Sequence, residues 1–262
     1  MSTPQVLRIE SAANATLKAL RQLARDTTAY REQGQLWLDG DHLLRAALAR
    51  GQLPSQVLIT EEAMHQRPAW RELALQAPRV LMVPAKLFEA VSGLPSATQI
   101  GATLPWRGDA ALQGGLPTVV LDRLQDAGNV GTILRSAVAL GVRQVVALKG
   151  CAALGSPKVL RAGMGAHFGL HWVEGADESQ LAALQLPLLA TSSHAKQPLH
   201  SVTLPQPCAW VFGHEGQGVS DSLLARCQTT VRIPQPGGEE SLNVAAAAAI
   251  CLYESLRRQL TP

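Results

Sequence analysis

The sequence predicts an α/β protein whose second and larger part is built on a parallel sheet. After residue 117, helical segments separate most of six short strand candidates rich in Val and Leu: TVVLDRL, QVVALKG, FGLHWVE, LPLLATSS, CAWVFGHE and TTVRIPQ. Apolar strands that alternate with helices are typical of a parallel sheet with both faces covered. Ligands of such sheets bind outside the carboxyl ends of the strands. Three Gly-rich turns lie at or just beyond such ends, which makes them the candidate site.

The first hundred residues predict a smaller α/β unit. In NATLKALRQLARDTTAYR the leucines recur at helical spacing, and QLWLDG, SQVLITEE, PRVLMVP and TQIGATL read as strands, with a helix from Asp41 to Gly51 after the first of them. The stretch from Pro105 to Thr118 has Pro, Gly and small residues without periodicity, as linkers do. We therefore expect a domain at 1–105, a linker at 106–117 and a second domain at 118–262.

Composition limits the function classes. The 262 residues are 47% hydrophobic and 16% charged, as in an ordinary globular protein, and the run VAAAAAICLY is too short to span a bilayer. The start, MSTPQVLRIE, shows no positively charged leader followed by an apolar stretch, so we do not expect secretion. The cysteines are scattered without a Cys-x-x-Cys pair, which argues against zinc and disulfides and favours a reducing cytoplasm; they are Cys151, Cys208, Cys227 and Cys251. The net charge of +3 permits a nucleic-acid partner without requiring one.

The first turn, DAGNVGTILRSAVALGV, opens an amphipathic helix with an arginine on it. On a helix that starts near Val130, the apolar residues share one face and Arg135 lies on the opposite side. Arg135 is either a solvated charge or part of an anion site at the helix start, where free N–H groups and the helix dipole attract phosphate. Asn129 stands at the expected N-cap position, which is the commonest use of asparagine there.

The second turn, Gly213 to Gly218, is a poor phosphate-binding fingerprint. Its glycine spacing is wrong for a dinucleotide fold, it follows the fifth strand candidate, and QVVALKG ends without the acidic residue that would hold a ribose. Glu215 inside the loop would repel a pyrophosphate. The loop is either a plain turn or a site for a hydroxyl-rich or cationic ligand.

The third turn, GGEESLNVAAAAAICLYESLRR, leads into an alanine-rich helix. The run Val244 to Leu252 is apolar on every side, which predicts that it is buried. Asn243 is the strongly polar residue at its head, and a buried carboxamide without a partner costs about 1–3 kcal/mol, so we expect it to bind something. Ser241 is the expected N-cap.

The three turns together resemble the motifs of the SpoU/TrmH family of RNA ribose 2′-O-methyltransferases, in the SPOUT superfamily. The corresponding segments are NVGTILR, GHEGQG followed by VSDSLL, and RIPQPGGEESLNVAAAAAICLYE, with SPKVLRAGMGAHFGL and LLATSS as further similar segments. The resemblance covers Thr118 to Arg258 and extends more loosely to the front domain, where SAANATLKALRQL and GQLWLDGDHLLRAAL are similar to the substrate-recognition domain of these enzymes.

The resemblance implies a deep trefoil knot, which folding rules alone would not predict, and S-adenosylmethionine bound largely through backbone groups. The implied cofactor-binding residues are Thr191, Gly213, Ile233 and Leu242. No metal is needed, because the methyl of a sulfonium is already electrophilic. The family assigns hydroxyl activation to Arg135; since a guanidinium is a poor base, we expect it to hold the phosphate and the developing alkoxide. The other implied catalytic-site residues are Asn129, Glu215, Ser241 and Asn243.

RNA contacts are expected from basic residues. Lys18, Arg21 and Arg25 share one helical stripe, which is either a solvated face or an RNA-binding surface, and Lys158 and Arg161 form a second candidate pair. With aromatic residues at 4%, phosphate and shape contacts should outweigh base stacking. The resemblance also implies a homodimer through the second domain.

Ribosomal RNA is the favoured substrate because of the separate front domain, with transfer RNA as the alternative. A non-catalytic RNA-binding or assembly protein on the same fold is a second alternative, although all the motif residues are present. A nicotinamide-dependent oxidoreductase is disfavoured by the misplaced glycine loop.

Overall fold

A computed structural model describes residues 3–92, 98–108, 110–237 and 242–260. Its contacts separate two compact units: Met1–Gly108 with Gly155–Phe168, and Asp109–Leu154 with Gly169–Pro262. The sequence led us to expect one boundary within 106–117, and nothing in it indicated that the segment Gly155–Phe168 would group with the first unit.

The described residues form strands and helices that alternate along most of the chain. The strands are β1 (Gln5–Arg8), β2 (Gln35–Asp39), β3 (Gln56–Thr60), β4 (Arg79–Val83), β5 (Ile100–Pro105), β6 (Thr118–Asp122), β7 (Gln144–Leu148), β8 (His171–Ala176), β9 (Leu188–Thr191), β10 (Gln197–Pro198), β11 (Ala209–Gly213) and β12 (Thr229–Arg232). The helices are α1 (Ala15–Arg25), α2 (Ala29–Gln33), α3 (Asp41–Leu48), α4 (Glu61–Gln66), α5 (Pro68–Ala74), α6 (Ala85–Ser92), α7 (Ala127–Ala139), α8 (Pro157–Gly163), α9 (Asp221–Leu224) and α10 (Val244–Leu260). Within the described ranges, no helix has the length and apolar character that a membrane crossing requires.

The first unit contains a mixed sheet in the order β1-β4-β3-β5-β2. Strand β5 runs antiparallel to β2 and β3, while β4 pairs in parallel with β1 and β3. Helix α1 begins at its N-cap Asn14, whose side chain accepts hydrogen bonds from the N–H groups of Thr16 and Leu17. Helix α8 packs against β2, which explains why its segment belongs to this unit.

The second unit contains a parallel sheet in the order β10-β12-β9-β11-β6-β7-β8. Every residue of β6, β7 and β11 is buried, as expected for central strands covered on both faces. Because neighbouring strands are parallel, the carboxyl ends of β12, β9, β11 and β6 lie side by side at one edge. This edge is where the Gly-rich turns leave the sheet.

Helix α7 begins earlier than the sequence suggested. Its N-cap is Asp126, whose Oδ1 accepts a 2.7 Å hydrogen bond from the N–H of Asn129. The expected start near Val130, with Asn129 as the cap, is therefore wrong. Aspartate caps a helix as well as asparagine does, so Asp126 caps the helix and leaves the Asn129 side chain free for other partners.

Helix α10 is capped by Asn243 and is only partly buried. The Oδ1 of Asn243 accepts hydrogen bonds from the N–H groups of Ala245 at 2.9 Å and Ala246 at 3.3 Å. The predicted burial of Val244 to Leu252 on every side is wrong, because Ala246 is exposed and Ile250 is 40% exposed. Asn243 and Tyr253, which flank this run, are exposed as well. A single chain covers one face of this helix only. Ser241, the cap expected from the sequence, lies outside the described residues.

Gln113, in the segment before β6, is bound to the second unit by the side chain of Gln144, which is fully buried. Oε1 of Gln144 accepts a 2.8 Å hydrogen bond from the N–H of Gln113, and its Nε2 donates to the carbonyl of Gln113 and to Oγ1 of Thr118, both at 3.0 Å. Buried amides are retained where every polar atom finds a partner. The later part of the expected linker is therefore held in place by its neighbours.

Candidate active site

A cavity of about 390 Å³ opens at the carboxyl ends of β9, β11 and β12 and at the start of α10. The residues proposed from the sequence for the cofactor all line it: Thr191, Gly213, Ile233 and Leu242. They come from separate parts of the chain, and the parallel sheet brings them to one edge. The volume lies within the roughly 300–1,000 Å³ of ordinary small-molecule sites.

The loop His214–Gly218 forms one wall of this cavity and is held together by its own hydrogen bonds. The Nδ1 atom of His214 accepts hydrogen bonds from the N–H of Gly216 at 3.0 Å and of Gln217 at 3.3 Å, and the N–H of Gly218 donates to the His214 carbonyl at 2.8 Å. A Cβ at Gly213 would overlap the backbone of Gly218 and Val219, so only glycine fits where the loop returns.

Glu215 links this loop to the first turn. Its Oε1 accepts hydrogen bonds from the N–H of Asp126 and from Nδ2 of Asn129, both at 3.2 Å. Partial burial raises the pKa of Glu215, but hydrogen bonds from its own backbone, from Asn129 and from Asp126 outweigh this and lower the pKa below its usual value. The carboxylate is therefore ionised at neutral pH, which suits a cationic or hydroxyl-bearing ligand.

The third turn joins the same network through Asn243, whose Nδ2 donates a 2.9 Å hydrogen bond to Oδ1 of Asn129. Asn129 thus accepts from Asn243 and donates to Glu215, so its amide orientation is fixed from both sides. One side chain from each Gly-rich turn takes part in this chain of bonds. The structure therefore brings Asn129, Glu215 and Asn243 together.

Arg135 stands apart from this cluster. It lies exposed on α7 and is not among the residues that line the cavity. It makes no ion pair or hydrogen bond with any residue that the structure describes. In a single chain its guanidinium is consequently free, and the cavity wall itself contains no lysine or arginine among the described residues.

The basic residues expected to contact RNA all belong to the first unit, and their surroundings differ. Lys18 and Lys158 are exposed. Arg25 donates a 2.7 Å hydrogen bond to the carbonyl of Ala90, and Nε of Arg21 is buried without a partner among the described residues. Arg161 lies 3.8 Å from the buried carboxylate of Asp39. The two lysines are thus the most available for an external phosphate.

Sequence reasoning missed several residues at the site. His214 and Asp221 line the cavity, and Arg123 contacts the loop His214–Gly218 from outside it. A histidine next to a glycine and an arginine after a strand are too common to be recognised from one sequence. Asp221, after a serine, carries only the signal of a helix start.

The chemistry of the lining is compatible with S-adenosylmethionine. Apolar side chains of Ile233, Leu242 and Val244 offer a surface for a flat ring, while the carboxylates of Glu215 and Asp221 suit positive charge. Because glycine has no side chain, a ligand can approach the backbone closely at Gly213. The residues present therefore fit a ligand that combines an aromatic base, hydroxyl groups and a cationic centre.

Comparison with known proteins identifies relatives of the whole chain. Residues 117–253 match the SpoU rRNA Methylase family. The chain is 35% identical over 98% of its length to an uncharacterized tRNA/rRNA methyltransferase of Synechocystis sp., 96% of which is covered. It is 30% identical over 94% of its length to the 23S rRNA (guanosine(2553)-2′-O)-methyltransferase RlmP of Bacillus subtilis, 98% of which is covered. A crystal structure of an AdoMet-bound rRNA methyltransferase from Sinorhizobium meliloti superposes with a TM-score of 0.81 at 25% identity, over 98% of this chain and 99% of that one.

Proposed function

The chain belongs to the SpoU rRNA Methylase family, and from this premise we propose that it transfers a methyl group from S-adenosylmethionine to a ribose 2′-hydroxyl of ribosomal RNA. The observation that carries the proposal is the contact between the three Gly-rich turns, through Asn129, Glu215 and Asn243, beside the cavity. The names of the relatives, a tRNA/rRNA methyltransferase and a 23S rRNA 2′-O-methyltransferase, support the substrate class.

The cofactor would be held by Thr191, Gly213, Ile233 and Leu242, largely through backbone groups of the loops that line the cavity. When bound, it supplies a methyl group on a positively charged sulfur, which is electrophilic without help from a metal. An AdoMet-bound relative of nearly the same length supports this choice of cofactor.

Residues of the chain position the target ribose and stabilise the negative charge that develops on its 2′-oxygen. The ionised carboxylate of Glu215, which lines the cavity, fixes the amide of Asn129 at the start of α7. Holding reactants in line contributes several kcal/mol to catalysis, about 7–11 in favourable cases. Arg135 holds the phosphate next to the target ribose and stabilises the alkoxide that develops on its oxygen, because a guanidinium is a good anion partner and a poor base.

We further propose that the active form is a homodimer in which the partner's Arg135 completes the cavity. A second, apolar hollow is lined by Pro234, Ile250 and Tyr253, and Ile233 lies on the walls of both hollows. Exposed apolar residues that border a site are typical of an interface. A second copy on this face would bury them and stand next to the cavity, whose described lining in one chain includes no arginine.

RNA binding is proposed to use exposed basic residues of the first unit, with Lys18 and Lys158 as the main candidates and Arg21, Arg25 and Arg161 in support. Their contacts would be to phosphates and should weaken steeply as salt increases. The four thiols are free, which suits the reducing cytoplasm where we propose that the protein works.

The test is a map of 2′-O-methylation in total RNA from cells with the protein, without it, and with Arg135→Ala in its place. One ribosomal RNA mark that is lost in the last two strains would support the proposal. A missing mark in transfer RNA would instead support the alternative substrate. An unchanged map, together with no S-adenosylmethionine binding by calorimetry, would favour a non-catalytic RNA-binding protein and overturn the proposal.

A further inference from the structure

Arg123 adopts a backbone conformation that an arginine rarely takes. It follows the last residue of β6, and its φ is +57°, in the left-handed region where glycine and asparagine are favoured. Gly150 leaves room for its side-chain stem, since a Cβ there would lie 3.3 Å from Cγ of Arg123. A strained residue persists when its surroundings hold it in place, so the contacts of this side chain indicate its role.

The guanidinium of Arg123 connects a buried carboxylate to the cavity loop. Nε and Nη2 donate to the two oxygens of Asp122 at 3.0 and 3.2 Å, and the Asp122 side chain is only 3% exposed. The remaining contacts go to the loop: Nη1 donates to Oε1 of Gln217 at 3.0 Å and Nη2 to the carbonyl of Gly218 at 3.3 Å. Asp122 also accepts a 2.8 Å hydrogen bond from the N–H of Ser220.

We propose that Arg123 is a positioning residue for the cofactor: anchored by Asp122, it holds the loop His214–Gly218 in the shape that receives S-adenosylmethionine. Arg123 itself does not line the cavity, whereas every residue of that loop does. Besides the turn bonds of the loop and the bonds that Glu215 accepts from Asp126 and Asn129, the bonds from Arg123 to Gln217 and Gly218 limit the freedom of the loop before the ligand arrives. Preorganisation of this kind lowers the entropy cost of binding. This inference rests on the proposed function.

The test is Arg123→Gly, which removes the guanidinium and relieves the backbone strain, while Asp122 keeps its hydrogen bond from the N–H of Ser220. Circular dichroism and the midpoint of urea unfolding check that the variant folds. The matched control is Gln185→Gly, because Gln185 has a similar φ of +52°, is exposed and does not line the cavity. We expect the Kd for S-adenosylmethionine, measured by calorimetry on the full chain, to rise about tenfold in Arg123→Gly, as the loss of charge-assisted hydrogen bonds implies. The control should bind like the wild type.

Steady-state kinetics separate positioning from general stability. In Arg123→Gly, KM for S-adenosylmethionine should rise with the Kd, while kcat at saturating cofactor stays within about twofold. The Kd and KM of Arg123→Lys for S-adenosylmethionine should lie between those of the wild type and Arg123→Gly. One ammonium can pair with Asp122 but cannot also reach both loop acceptors. A lowered kcat with unchanged KM would show a merely structural role and overturn the inference, as would an unchanged Kd. Absence of cofactor binding by the wild-type protein would instead contradict the proposed function.

Discussion

The amide of Asn243 donates a 2.9 Å hydrogen bond to the side-chain oxygen of Asn129, a residue 114 positions earlier in the chain. Asn243 performs a second task with its other amide atom, because its Oδ1 caps α10. One carboxamide thus joins the start of the last helix to the start of α7. Its two roles can be separated by changing the donor and leaving the acceptor.

Asn243→Asp should separate capping from positioning. Aspartate caps a helix as well as asparagine, so the midpoint of urea unfolding should stay close to that of the wild type. The new carboxylate cannot donate to Oδ1 of Asn129 and repels it, so we expect kcat to fall about tenfold or more. Asn243→Ala, the comparison, should lose both kcat and stability. A wild-type kcat in Asn243→Asp would show that the bond to Asn129 is unimportant for the reaction.

His214 should be replaceable by asparagine but not by alanine. Its Nδ1 accepts from two backbone N–H groups of the loop, and the Oδ1 of an asparagine can accept the same type of bond two residues ahead. His214→Ala should raise KM for S-adenosylmethionine several-fold, in line with roughly 0.5–1.5 kcal/mol for a hydrogen bond, whereas His214→Asn should remain near the wild type. Equal KM values for the two variants would indicate another role for the ring.

Arg135→Ala should abolish methyl transfer and leave the Kd for S-adenosylmethionine nearly unchanged. Loss of one group that stabilises developing charge typically lowers kcat by about 100- to 1,000-fold, and the proposed role of Arg135 is to hold the RNA phosphate and the alkoxide rather than the cofactor. Calorimetry and a single-turnover assay on the target RNA measure the two effects. Loss of cofactor binding would contradict the assigned role.

Mixed dimers show which subunit supplies Arg135. Ala247→Phe should fill the cavity, because Ala247 lines it, and the variant should be inactive alone. If the partner's arginine serves each site, equal amounts of Arg135→Ala and Ala247→Phe subunits should recover about a quarter of the wild-type activity after exchange. No recovery in demonstrated mixed dimers would place Arg135 and the cavity it serves in the same chain.

Tyr253→Asp should weaken the proposed dimer. Tyr253 is 57% exposed in the single chain, so the change costs little within the fold, but it would place a charge in the interface. Sedimentation velocity should show monomers, with a parallel loss of methyl transfer. Leu260→Asp on the same helix is the control, since Leu260 is 73% exposed and does not line the apolar hollow. A stable Tyr253→Asp dimer would exclude this face as the interface.

Acid should destabilise the protein through Glu254. Hydrogen bonds from Arg257, and then from Arg258, outweigh its burial and lower its pKa from 4.5 to about 2. A lowered folded-state pKa adds stability above the unfolded value, and this stability is lost as the pH falls from about 5 to about 2. Since Arg257 is half exposed, screening reduces the contribution to roughly 1–3 kcal/mol.

Urea unfolding at several pH values measures this contribution. The free energy of unfolding of Glu254→Gln should fall less between pH 6 and pH 3 than that of the wild type. Glu72→Gln, at an exposed site, should follow the wild-type profile. Identical profiles for Glu254→Gln and the wild type would show that the ion pairs contribute nothing measurable.

The sheet and the place of the Gly-rich turns at its edge could be predicted from strong patterns in the sequence, whereas the residues that line the cavity were implied by the family resemblance. Buried parallel strands leave apolar runs, and a backbone that must return past Gly213 leaves glycines. The helix caps could not be predicted, because Asp126 and Asn129 compete for one role and are three residues apart. The local sequence does not say which of them reaches the free N–H groups.

Two further features could not be predicted from the sequence, for a different reason. The apolar face of α8 has the same periodicity whichever core it joins, so the sequence pattern could not predict that α8 packs against β2. The exposure of Ile250 and Tyr253 depends on what covers α10, and hydrophobicity does not identify the covering surface. The trefoil knot implied by the resemblance stays a prediction, as do the domain bounds and the roles of the site residues.

The parallel arrangement of β9, β11 and β12 has a consequence for biosynthesis. Val244 and Ala247 of α10 line the cavity together with Thr191 of β9, so under the proposed function the methyl donor binds only after α10 has left the ribosome. Under the proposed function, an emerging polypeptide therefore cannot methylate RNA, even though the first unit with its exposed Lys18 is already made.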